Sequence, residues 1–468
     1  MNLNAVLALV VVIGIVALGV LGWARLEGSA PVLTGPDAIL LGSDTRDVAI
    51  SVREEGMGLR RISARLIDAQ GDEKSLAFEE IPGTWHSGNL EQERELLLVL
   101  DAKSLDLADG SARLEIEAED WSWRHNVGTL EIGLEIDRVA PRVSVRSGLT
   151  YVDQGGAAAV VYELSEPAAR DGVEVVGAHG TSFYPGHPFP SGVPSGVPSG
   201  AEVAPGSSDA EAPGSGRRVA IFAIERDAGP DARVSVVAED RAGNAATARW
   251  NLVIKPRVFP QGNVNLPGSF LRDVVPSLAT AAGIEDEDPV AAFDRVNTEL
   301  RSRNEAQIEE QLAETEPRPL WIGGFEQLAN SKVTSRFAEA RVYVVEGRPV
   351  SKAVHYGYDL ASLSSAPITA ANAGRVRFAG DLGIYGNCVL VDHGLGVGSL
   401  YGHLSRIDVR EGESVEKGQR LGLSGATGLA GGDHLHFAIR VGPTYVDPVE
   451  WWDPKWVREH IDVRLERE

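Results

Sequence analysis

Hydrophobic and polar positions divide the chain into stretches of different period. Ala5 to Trp23 is an uninterrupted apolar run of nineteen residues, with no charge until Arg25. As a helix rising about 1.5 Å per residue it would reach about 28 Å, close to the hydrocarbon thickness of a bilayer. Residues 1–30 are therefore expected to hold an uncleaved membrane anchor, with a signal peptide cleaved near Gly22-Trp23-Ala24 as the alternative. From Pro31 to Lys255 the period falls to two. Runs such as Val48–Val52, Ala112–Ala118 and Val234–Ala238 alternate apolar and polar residues between Gly, Pro, Asp and Asn, which predicts strands. The period lengthens again after Asp288-Pro289, with apolar or small residues at Ala292, Val296, Leu300, Ile308 and Leu312. This predicts a solvated connecting helix that ends before Pro317.

The strand region contains an internal echo. Ala112–Asp120 is answered by Ala232–Asp240, and each is followed by a turn holding Asn126 or Asn244. Two antiparallel sandwiches are expected, over 31–138 and 139–256. Asp240–Asn244 resembles the strand-turn-strand ends of bacterial immunoglobulin-like repeats. Tyr184 to Gly216 is low in complexity, with Gly-Val-Pro-Ser-Gly repeated, and reads as a disordered insertion between strands.

Composition narrows the function classes. There are 44 Lys and Arg against 67 Asp and Glu, a net charge of −23, which argues against nucleic acid as a partner. The single cysteine, Cys388, excludes an intrachain disulfide framework and any Cys-rich zinc module. It reads as a small buried hydrophobe. The acidity is uneven. Residues 331–468 carry 16 basic and 17 acidic side chains, so nearly all of the negative charge lies before them, as an acidic stalk ahead of a neutral domain.

That neutral segment holds 18 of the 52 glycines and six of the ten histidines. In Val354–Leu360, strand periodicity would put His355, Gly357 and Asp359 on one face, with Gly357 leaving room for an ion between imidazole and carboxylate. His434 and His436 share a face in the same way, and His403 sits among apolar and aromatic neighbours in Leu400–Leu404. Two imidazoles and one carboxylate with an open position is the donor count of a catalytic zinc site. The helix-borne His-Glu-x-x-His signature is absent. His393 reads as a turn or core hydrogen-bonder, and Trp451, Trp452 and Trp456 as packing for a helix after Asp447-Pro448. His86, His125, His179 and His187 have no partners at ligand spacing.

Three blocks in order, His355-Tyr-Gly-Tyr-Asp359, Tyr401-Gly-His403-Leu404 and His434-Leu-His436-Phe437, resemble the lysostaphin-type, LytM-like zinc peptidases. The resemblance runs from Lys332 to about Asp453. It implies a glycine-rich antiparallel β-sheet domain and one Zn²⁺ held by His355, Asp359 and His436, with His403 and His434 as catalytic residues flanking the reacting water. Leu429–Asp433 departs from the Ser-Thr-Gly-Pro common in relatives, in a loop that carries no ligand.

The expected architecture is mainly β: a membrane helix (1–30), two immunoglobulin-like β-sandwich modules (31–138 and 139–256, with the insertion 184–216), a helical linker (257–320) and the peptidase domain (321–468). The expected function is hydrolysis of peptide bonds in bacterial cell-wall peptidoglycan, in the cross-link peptide. The expected location is the cell envelope, on an inner-membrane anchor with the bulk of the chain in the periplasm. A divisome or cell-wall regulatory protein is a further expected partner. Two rival readings are a non-catalytic regulator of other wall hydrolases and a wall-binding or adhesion protein.

Overall fold

The computed structural model describes all residues except 1–2, 27, 85–86, 90, 178–179, 191–215, 230 and 467–468. His86 and His179 lie outside the described residues. Leu3–Arg25 is helical. Among the described residues, however, no helix is long and apolar enough to cross a membrane, so the expected span is corrected to a helix. Its C-terminal end is held by polar contacts: Arg25 is 1% exposed and donates to the Trp121 and Thr84 carbonyls.

The chain divides after Pro141. Residues 1–141 with 239–245 form one unit, and 142–238 with 246–468 form the other. In the first, Val32–Thr34, Arg46–Arg53 and Glu93–Leu100 make a three-stranded sheet. A five-stranded sheet follows the order Ala38–Leu41, Val127–Ile136, Gly110–Asp120, Leu59–Ile67, Glu73–Glu80. Arg46–Arg53 buries Val48, Ile50 and Val52 and exposes the residues between them, as a two-residue side-chain period requires. The echoed turns share a device. Asp120 accepts from Asn126 N–H and Nδ2, and Asp240 accepts from Asn244 N–H and Nδ2, so each aspartate clamps the loop that follows its strand.

In the second unit, Ala157–Leu164 pairs with Gly216–Ala223 and is buried nearly throughout. Its apolar residues belong to one continuous core with those of the C-terminal domain. No division falls at residue 256. Of the expected insertion, 191–215 lies outside the described residues, and the flank before it is structured. Gly180–Pro185 pairs with Arg170–Gly177, and Tyr184 is buried, donating to Ala223 O at 3.1 Å and bonded to Thr444 Oγ1 at 2.8 Å. Composition concealed an aromatic anchor at the edge of the repeat.

The interval 257–320 also differs from expectation. Gln261–Asn265 adds a parallel strand to Glu339–Val345, which pairs with Arg348–His355. Asp288 caps Pro289–Arg295 by accepting from Val290 N–H at 3.0 Å. Apolar positions four apart drift by about 40° per step on an α-helix. A π-turn over Val296–Leu300 offsets part of that drift before Arg301–Leu312 continues. Ala292, Phe293, Val296, Leu300 and Ile308 are buried, so this is a core element rather than a solvated connector.

The C-terminal domain is a large antiparallel sheet. Its order is Lys332–Ser335, Tyr358–Ala361, Leu435–Val441, Val397–Leu404, Asn387–Gly394, Gly374–Asp381, Ser414–Val415, with Thr444–Val446 beside Leu435–Val441. Asp447 caps a short helix, Pro448–Trp452, whose Trp451 is fully buried against Trp321, Phe325 and Trp456.

Candidate metal centre

Sheet register assembles the centre. Asp359 and His436 are direct cross-strand partners, and Gly402 faces His436 from the other side. His355 arrives differently from the sequence expectation. It ends Arg348–His355 in the three-stranded sheet, and the chain then crosses to Tyr358–Ala361 in the large one, so His355 and Asp359 do not share a strand. The room at Gly357 is taken by protein. A Cβ there would lie 2.7 Å from His436 Cε1 and 2.7 Å from the Phe437 carbonyl oxygen, so glycine makes way for the imidazole.

Three donor atoms converge. His355 Nε2 lies 3.0 Å from Asp359 Oδ1 and 2.9 Å from His436 Nδ1, and His436 Nδ1 lies 3.0 Å from Asp359 Oδ1. Neighbouring groups set their directions. His355 Nδ1 donates to Arg336 O at 3.0 Å, which puts the proton of the neutral ring there and turns the Nε2 lone pair inward. Arg341 Nη2 donates to Asp359 Oδ2 at 3.1 Å, leaving Oδ1 to face the imidazoles. A lone pair on His355 Nε2 then faces an unprotonated carboxylate oxygen, a contact that a cation between them would make favourable. His436 Nε2 is buried without a hydrogen-bond partner, and Nδ1 is the ring nitrogen that meets the other two donors. The residues therefore fit a divalent metal of the zinc type.

His403 and His434 flank this triangle, their ring centroids 4.8 Å apart. His403 has a left-handed backbone (φ +63°) beside a register shift between its strand and Asn387–Gly394. Such a conformation costs about 1–3 kcal/mol for a non-glycine residue, and here it re-aims the ring. Its Nδ1 donates to Thr427 O at 2.8 Å. Burial beside two other imidazoles pushes its pKa down to about 3. His434 Nδ1 donates to Gly432 O at 2.7 Å and its Nε2 stands 3.6 Å from Asp359 Oδ1. Burial opposes the charged form of His434, but its hydrogen bond to and attraction by Asp359 raise its pKa. Burial likewise opposes the Asp359 carboxylate, which the surrounding histidines hold well below the usual range.

All five predicted residues line one cleft of about 230 Å³. Its far wall comes from the interval 257–320, through Asn265, Phe270, Phe293 and Arg301, and its rim from Leu429–Gly431. Asp433 anchors that rim by accepting from Ser424 Oγ at 2.6 Å and Ser365 N–H at 2.8 Å. Sequence reasoning missed Arg301, Arg341 and Tyr385. Alternation in Glu339-Ala-Arg341-Val-Tyr343 could have flagged Arg341, whereas nothing local marks Arg301. Tyr385 donates to Glu305 at 2.6 Å across the same interface. The remaining conspicuous residues are structural. His393 is fully buried between Ala373 O and Ser399 Oγ, and burial pushes the Cys388 thiol pKa well up. His187 is buried in the second β-region, and His125 sits beside Glu119.

Residues 353–448 match Peptidase family M23. Over 96 residues the chain is 40% identical to the DD-carboxypeptidase/endopeptidase Mpg of Neisseria meningitidis serogroup B, covering 20% of this chain and 22% of that protein. Over 122 residues it is 34% identical to the peptidoglycan DD-endopeptidase ShyB of Vibrio cholerae serotype O1, covering 26% of this chain and 28% of the relative. The catalytic domain of lysostaphin from Staphylococcus simulans is 27% identical, covering 28% of this chain and 98% of that one, with a TM-score of 0.24. The chain thus spans about a quarter of the length of these curated relatives.

Proposed function

We propose that this chain, which carries a Peptidase family M23 domain at residues 353–448, is a zinc-dependent endopeptidase acting on bacterial cell-wall peptidoglycan, at the cross-link peptide. The observation that carries the reading is the convergence of His355 Nε2, Asp359 Oδ1 and His436 Nδ1 within 3.0 Å of one another, flanked by His403 and His434. These three residues would hold the ion. Bound there, zinc would polarise the scissile carbonyl and lower the pKa of a water toward about 7. His403 and His434 are the groups placed to take the proton of the attacking water, pass it to the leaving amine, or donate to the oxyanion. Arg341 and the Arg336 carbonyl keep Asp359 and His355 aimed at the ion. Phe270, Phe293 and Leu429 line the cleft with apolar surface that limits water around the reacting bond.

The presence of all five residues supports a peptidase over a non-catalytic regulator or a passive wall binder. A location in the cell envelope goes with this substrate, and the acidic β-regions are proposed as spacers of immunoglobulin-like type. The test is digestion of purified peptidoglycan by the full chain, with and without chelator, beside His436→Ala. Soluble peptides should appear only with the metal-loaded wild type, and stoichiometric zinc should be missing from the variant. Equal release by all three samples would refute the reading.

A further inference from the structure

The charged side chains lining the cleft are Arg301, Arg341 and Asp359. The two arginines differ in what satisfies them. Arg341 is committed: its Nε donates to Glu339 Oε2 at 3.0 Å and its Nη2 to Asp359 Oδ2 at 3.1 Å. Arg301 has only neutral acceptors. Its Nε donates to Asn297 O at 3.2 Å and its Nη2 to Asn297 Oδ1 at 2.9 Å. Among the described residues it makes no ion pair, and its Nη1 has no hydrogen-bond partner. It is half-buried on Arg301–Leu312, whose neighbour Asn304 is fixed to the catalytic domain by accepting from Ile384 N–H at 3.0 Å.

We infer that Arg301 recognises a free carboxylate on the substrate peptide beside the scissile bond, a proposal that rests on the peptidase reading of this cleft. A half-buried guanidinium with no counter-ion loses hydration without regaining an ionic partner, and an arriving anion restores the balance. Asn297 holds two of the five donors and so orients the planar fork before substrate binds. The free edge matches the two oxygens of a carboxylate in one plane. Arg341 is neutralised by Glu339 and Asp359, so Arg301 is the cleft-lining cation left to meet a negatively charged substrate. Arg301 lies outside the segment 353–448, so this specificity comes from the covering helix and not from the ligand-bearing sheet.

The test uses the full zinc-loaded chain and two synthetic peptides, identical except that the residue flanking the scissile amide carries a carboxylate in one and a carboxamide in the other. The wild type should favour the carboxylate peptide in kcat/KM by about 10–100-fold, the scale of a hydrogen bond to a charged group. In Arg301→Gln that ratio should fall to near one, mainly through a higher KM for the carboxylate peptide. Arg301→Lys, which keeps the charge and loses the fork, should fall between the two and serves if the glutamine variant does not fold. A wild-type ratio near one, or an undiminished ratio in both variants, would overturn the assignment while leaving the peptidase reading intact. If the zinc-loaded wild type cut neither peptide, the peptidase reading itself would fall, and this inference with it.

Discussion

The strands that carry the candidate ligands and the helical interval that walls the same cleft reach the site by different physical routes. On the strands, chemistry follows from register. Asp359 stands opposite His436, and a slip of one residue would turn every side chain of that strand to the other face. In the wall, position follows from burial. Phe293 and Ile308 are fully covered, and their helices are held in place by packing and by Asn304 and Glu305, which accept from groups on the C-terminal domain. The first region can lose a donor and keep its shape. The second cannot lose a large core side chain without loosening the cleft.

That contrast can be broken by experiment. The largest effect expected is on turnover: His403→Ala should lower activity by about 10²–10⁴-fold, as removal of a general acid–base group does, while zinc content stays stoichiometric. Loss of zinc in that variant would make His403 a ligand. In the wall, Phe293→Ala removes a ring 5.0 Å from that of Tyr343 and should cost about 3–5 kcal/mol in urea unfolding. A cost below about 1 kcal/mol would show that the wall packs loosely and that the two regions differ less than the structure implies. Arg341→Gln sharpens the comparison, because Arg341 touches the candidate ligand Asp359 without facing the other donors itself. Zinc affinity should drop by about 10–100-fold, and unchanged affinity would leave Asp359 oriented by its strand alone.

The smallest effect concerns pH. Burial raises the Glu450 carboxyl pKa to about 8, and the group accepts from Ala157 N–H at 3.2 Å. An acid whose folded pKa lies above its unfolded value binds more protons when folded, so its contribution to stability is lost as pH rises from about 4.5 toward 8. The melting temperature of the wild type should therefore decline across that window by more than that of Glu450→Gln. Parallel pH profiles for the two proteins would show that Glu450 does not titrate there.

Much of the site was legible because short-range spacing carried it. His434 and His436 face the centre together, and the approach of His355 to Asp359 was anticipated from four positions of separation. Its basis was not. The pair meets across a change of sheet, and Gly357 is needed for the His436 ring rather than for an ion. The helical interval misled for a complementary reason. Its exposed face is rich in Glu and Arg, which favoured a solvated connector, whereas a π-turn brings Val296, Leu300 and Ile308 into the core.

By itself, then, the amino-acid sequence determined which histidines and aspartate are the candidate donors, the strand-rich architecture and the concentration of acidity ahead of the His-rich domain. These depend on residue type and on periods of two to four, which local geometry reads directly. Tertiary structure alone decided the left-handed turn that aims His403, the guanidinium of Arg341 on Asp359, and the placement of Arg301 across the cleft. Those arrangements join residues 18 or more positions apart through a continuous packed core, and no local pattern encodes which buried face meets which.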